Sequence, residues 1–101
     1  MSGVQYPYEY AYETVAASQT AQVLGTAGAI GDYIHRLIIT VGTSATSTVA
    51  LLDNSTSIPI MAATTAIGVY SIEINARSAS GAWKVTTGAG ATVMAIGKFS
   101  V

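Results

Sequence analysis

The sequence predicts an all-β domain, a compact antiparallel β-sandwich or jelly-roll. Three observations carry this. Apolar runs are short and rich in Val, Ile and Thr, residues that suit a pleated, half-buried surface. Gly, Asn and Ser interrupt them about every ten residues, the spacing of short strands in sandwiches and barrels. No helical periodicity is sustained along the 101 residues, a length that suits one domain.

The elements follow in order. Tyr6, Tyr8, Tyr10 and Tyr12 recur at every second position, so in an extended chain their rings share one side. Two readings fit this stripe: an arm that reaches a neighbouring subunit, or a first strand whose tyrosines cover the domain's own core. Pro7 suits an arm or edge better than a central strand, and the arm is the expectation. Residues 1–19 are then an extended arm and residues 20–101 the sandwich.

Strands are predicted at Thr20–Gly25, Tyr33–Val41, Ser47–Asp53, Ser57–Met61, Ile67–Asn75, Ala82–Thr87 and Thr92–Ser100. In the second, Leu37, Ile39 and Val41 alternate onto one face. Pro59 marks the fourth as an edge. In the fifth, Tyr70, Ile72 and Ile74 oppose Ser71, Glu73 and Asn75, so one face is dry and one wet. Asp53-Asn54-Ser55 is a turn signal. Gly25, Gly28 and Gly31 mark a mobile or tightly turning loop rather than a phosphate loop, because a strand follows and no Lys-Ser/Thr does. The expected core holds Leu37, Ile39, Tyr70, Ile72, Ile74 and Trp83, whose indole N–H needs a partner. This order leaves jelly-roll and immunoglobulin-like topologies both open, although the cysteine pair of a true immunoglobulin domain is missing.

Half of the residues are hydrophobic and only 9% are charged, against roughly 25% in an average soluble domain. A surface so poor in charge spends much of itself in contact with copies or partners; the plainer alternative is a monomer coated with Ser, Thr and Gly. The expectation is a homo-oligomer, trimer before dimer. A net charge of −1 without a basic run gives no footprint for nucleic acid. The longest apolar runs are of strand length, short of the roughly 20 residues a membrane helix needs. Met1 to Glu13 lacks the basic and apolar regions of a secretory leader, so synthesis and retention in the cytoplasm are expected. Without cysteine there is no disulfide or thiolate chemistry.

Candidates for catalysis are few. His35 is the sole histidine, and Asp32 lies about 10 Å away along an extended strand. Zinc needs several His or Cys ligands, and a serine nucleophile needs an adjacent base. No enzyme, metal or cofactor is expected. Asn54-Ser55-Thr56 matches a glycosylation acceptor but reads as a turn.

The segments Gly31-Asp32-Tyr33-Ile34-His35-Arg36-Leu37-Ile38-Ile39-Thr40-Val41, Val49-Ala50-Leu51-Leu52-Asp53 and Gly81-Ala82-Trp83-Lys84-Val85-Thr86-Thr87-Gly88 resemble small structural proteins of tailed bacteriophages. The likeness is to capsid decoration, or cement, proteins, and it covers about Leu24 to Val101. It implies a compact sandwich or jelly-roll on the capsid exterior, as a dimer or trimer, clamping neighbouring subunits of the major capsid protein. It implies no catalytic residues. The tyrosine arm has no counterpart in the resemblance, and Tyr6, Tyr8, Tyr10 and Tyr12 are interface candidates on their own chemistry. A tail-fibre or receptor knob, with exposed aromatics stacking on sugar rings, and a binding module of unknown partner are the other readings.

Overall fold

Alternation along the longest strands decides which side of each is dry. In the computed structural model, which describes residues 10–100, eight strands form: β1 (Ala11–Val15), β2 (Gln22–Val23), β3 (Tyr33–Val41), β4 (Val49–Asp53), β5 (Thr56–Met61), β6 (Gly68–Arg77), β7 (Trp83–Thr87) and β8 (Ala91–Lys98). They make two four-stranded sheets, ordered β1-β8-β3-β6 and β2-β7-β4-β5. Every pairing is antiparallel. The pairs are nested: β4 with β5, β3 with β6, β2 with β7 and β1 with β8. The contacts β3–β8 and β4–β7 join these pairs into sheets.

The core fills the space between the sheets. Leu37, Ile39, Val93 and Ala95 enter it from one sheet, and Leu51, Trp83 and Val85 from the other. Of the expected core, Leu37, Ile39 and Trp83 are buried. Tyr70, Ile72 and Ile74 are only partly covered, because β6 is an edge strand. The Trp83 indole donates to the Asp32 carbonyl at 2.9 Å. The Asp32 carboxylate in turn accepts the Ser100 N–H (2.9 Å) and hydroxyl (2.6 Å), tying down the end of the described chain. Among the described residues, no buried side-chain polar atom lacks a partner, the state expected of a well-formed interior.

Pro59 does sit on an edge, in β5. Gly25, Gly28 and Gly31 all take positive φ, so the loop they punctuate is tightly turning. At Gly25 a Cβ would also lie 2.6 Å from the Ser100 carbonyl oxygen.

Most strand ends shift by one or two residues from the sequence reading, and two differences are larger. The strand expected at Thr20–Gly25 shrinks to two residues. The expected division at residue 19 does not hold for the described part of the arm, since Ala11–Val15 is an edge strand of the chain's own sheet. Val15 is buried in the core, and Glu13 turns to accept the Gly25 N–H at 2.7 Å. Burial of Val15 and that charge-assisted bond anchor the segment in cis.

Candidate protein-binding surface

The outer face of a sandwich is normally polar. On the β1-β8-β3-β6 sheet an apolar stripe crosses it. The registers lay out its rows directly. Tyr12, Ile96, Arg36 and Glu73 form one row across the four strands, and Met94, Ile38 and Ser71 lie in the next, beside Thr14. Thr92, Thr40 and Val69 make the third. Tyr12, Ile96, Met94, Ile38 and Val69 therefore trace a diagonal apolar stripe, extended by Ile67 just before β6. Tyr12 is 66% exposed, Ile67 70% and Val69 69%. Threonine hydroxyls flank the stripe on one side, and Arg36, Glu73 and Ser71 on the other.

A bulge shapes one end. Ile34 pairs with Gly97 and Arg36 with Ile96, so β3 carries one residue more than β8 between them. Ile34 and Leu37 both point inward, which leaves His35 and Arg36, two consecutive residues, on the outer face. Bulges re-aim side chains in this way. Gly97 is the counterpart of the bulge: a Cβ there would collide with the Tyr33 carbonyl oxygen.

The re-aimed pair is held firmly. Tyr10 stacks on the His35 ring, with centroids 5.0 Å apart and planes at 28°, and lies 5.8 Å from Tyr33. The Arg36 Nε–H donates to His35 Nδ1 at 3.2 Å. Arg36 also donates to the Ser71 hydroxyl at 2.7 Å and faces Glu73 at 3.5 Å. The Tyr33 hydroxyl donates to the Asn75 side-chain oxygen at 2.7 Å. The Tyr33 pKa is raised above its ordinary value, first by partial desolvation and then by Tyr10 and Glu73, against an opposing pull from Arg77.

Tyr10, Tyr12, His35, Arg36, Met94 and Ile96 enclose an open depression of about 570 Å³. It offers apolar area, two aromatic rings and a guanidinium fixed by three partners. Those are the means of recognising a surface or a ring. Among the described residues no three of His, Cys, Asp or Glu gather into a metal-binding group.

Of the four candidate tyrosines, the structure brings Tyr10 and Tyr12 to this depression. Tyr6 and Tyr8 lie outside the described residues. The sequence reading did not find Ile38, Met94 and Ile96. Their signal was present: Leu37-Ile38-Ile39 and Val93-Met94-Ala95-Ile96 are unbroken apolar runs, and such runs mean that both faces of a strand are apolar. No family model matches the sequence, and no curated protein or solved structure matches the chain.

Proposed function

We propose that the protein is a non-enzymatic structural virion protein that binds the outside of a bacteriophage capsid and cements neighbouring subunits, with the major capsid protein as its partner. The supporting observation is the uncharged aromatic and aliphatic stripe on a sheet face that solvent would otherwise claim. The nested pairing β1–β8, β2–β7, β3–β6 and β4–β5 supports reading the sandwich as a jelly-roll, a double-sheet architecture used by viral capsid domains. A lattice repeats its binding sites, so weak single contacts suffice when copies are linked.

Cryo-EM of gradient-purified particles from the source culture tests this. Density for the domain at junctions between capsid subunits is expected. Tyr12→Ala should weaken attachment tenfold or more, since an anchoring aromatic is worth about 2 kcal/mol, without changing the melting temperature. Recovery of the protein only with tails, or with no particle at all, overturns the proposal.

One observation favours a second reading, a tail-fibre or sugar-binding knob. Tyr12 is 66% exposed beside Arg36 and His35, a ring free to stack on a pyranose with donors beside it. Binding on a glycan array that Tyr12→Ala removes would establish that reading.

A further inference from the structure

We infer that β1 is exchanged between two copies of this chain, each laying residues 11–15 against the other's β8, so that a reciprocal dimer stands beside the closed monomer.

The seat and its occupant are both visible. β1 pairs with β8 from Ala11↔Gly97 to Val15↔Val93. Val15 fills the core. Glu13 accepts the Gly25 N–H at 2.7 Å, and the Thr14 carbonyl accepts from the Gln22 side chain at 3.1 Å. Tyr10 stacks on His35. Each of these contacts joins residues 10–15 to the body of the domain, so the same segment of a second copy makes them unchanged. The two forms differ in the linker alone, and concentration sets the rest of the balance.

That linker is short and strained. Gln19 is fixed to β7: its N–H donates to the Thr87 hydroxyl at 3.0 Å, and its carbonyl accepts the Thr87 N–H at 2.8 Å. The chain therefore pivots within residues 16–18. Ser18 stands there at φ +60°, a left-handed conformation that is costly for a residue with a Cβ. Closing the strand onto its own domain imposes this turn, and an extended linker does not. Opening gives up the bond from the Ser18 N–H to the Gly88 carbonyl (3.1 Å) and that from the Thr87 hydroxyl to the Ala16 carbonyl (2.6 Å). Ala16 and Ser18 are exposed, so water takes over their side of both bonds. Strain in a short hinge favours exchange.

The reach of the linker fixes where the copies meet. Four steps from Val15 to Gln19 span at most about 14 Å. The copies must therefore abut at the end of the sandwich that carries the linker. Residues 16–21, 42–48, 62–67 and 88–90 build that end. None of them is charged, and all but Gln19 and Ile67 are Ala, Ser, Thr or Gly. Two such ends approach closely without opposing like charges. Reciprocal exchange closes at two copies, a dimer where composition had put a trimer first. Tyr12 returns to its place beside Ile96 in either form, so the inference is independent of what binds the outer face.

The chain has no cysteine, and Thr14 lies directly opposite Met94, at a separation that a disulfide spans. The variant Thr14→Cys/Met94→Cys is prepared in heavy- and light-isotope forms, which are unfolded, refolded together and oxidised. Mass spectrometry of tryptic peptides then reads the links. A peptide bearing position 14 of one isotope form joined to a peptide bearing position 94 of the other is expected, in a fraction that grows with refolding concentration. Adding Ser18→Gly, which accepts the left-handed turn, should cut that crossed fraction roughly fivefold. Adding Ser18→Pro, which cannot adopt the turn, should raise it. No crossed link at any concentration, or a crossed fraction indifferent to both changes at Ser18, overturns the exchange. So does a dimer whose links all stay within one chain.

Discussion

At the scale of single residues, three positions concentrate the physics. Trp83 joins the core to the loop before β3 through its bond to the Asp32 carbonyl. Trp83→Ala should cost about 3–5 kcal/mol, a large share of the 5–15 kcal/mol typical of a domain, and urea denaturation will read it. Gly97 permits the β3 bulge. Gly97→Ala should destabilise by about 1–3 kcal/mol, as overpacking does, or shift the register so that His35 and Arg36 leave the surface; amide exchange across β3 and β8 separates the two. Tyr33 gives a pH signature. Its raised pKa means that the folded state holds the phenolic proton more tightly than the unfolded chain does. The resulting stability is complete below about pH 10, the ordinary tyrosine value, and is lost as pH rises through the higher folded value. An ultraviolet titration should show a late-ionising tyrosine component that Tyr33→Phe loses.

At the scale of elements, legibility tracked the cleanness of alternation. β6 was readable because Tyr70, Ile72 and Ile74 strictly oppose Ser71, Glu73 and Asn75. β1 was not, because its pattern is inverted: the aromatic Tyr12 faces out while the charged Glu13 turns in to cap Gly25. Composition assigns the faces the other way. The bulge had one faint sign, the three-residue spacing of Ile34 and Leu37, which breaks the period of two. Half of the candidate surface was visible as tyrosines. The other half, Ile38, Met94 and Ile96, hid in runs that read equally well as core. Because β1 covers β8 and sends Val15 into the interior, removing residues 1–15 should lower the melting temperature by more than about 8 °C. A thermal melt followed by circular dichroism decides whether the segment belongs to the sheet; an unchanged melt would make it dispensable.

For the whole molecule, the scarcity of charge is the governing property. With 9% of residues charged and the ion pair Arg36–Glu73 satisfied within the chain, association should be driven by apolar contact and hydrogen bonding. Its strength should therefore change little between about 0.05 M and 1 M salt, a range over which the Debye length falls to about 3 Å. Dissociation on adding salt, seen by light scattering, would instead point to complementary charges that the described residues do not display.

The nesting of the strands also constrains how the protein is made. Among the described residues β1 pairs with β8 alone, and the whole of residues 16–90 lies between them. At 5–20 residues per second of synthesis, roughly 4–15 s pass before the partner leaves the ribosome. Throughout that interval Tyr12 and its neighbours are an open strand with unpaired amides and carbonyls. On a polysome, identical open strands emerge side by side. The β4–β5 hairpin can close at once, β3–β6 and β2–β7 can zip around it, and the outermost pair must wait until β8 has emerged. The nascent chain is thus exposed to strand exchange with its siblings while both sides of β1 are open, where the folded sheet leaves one.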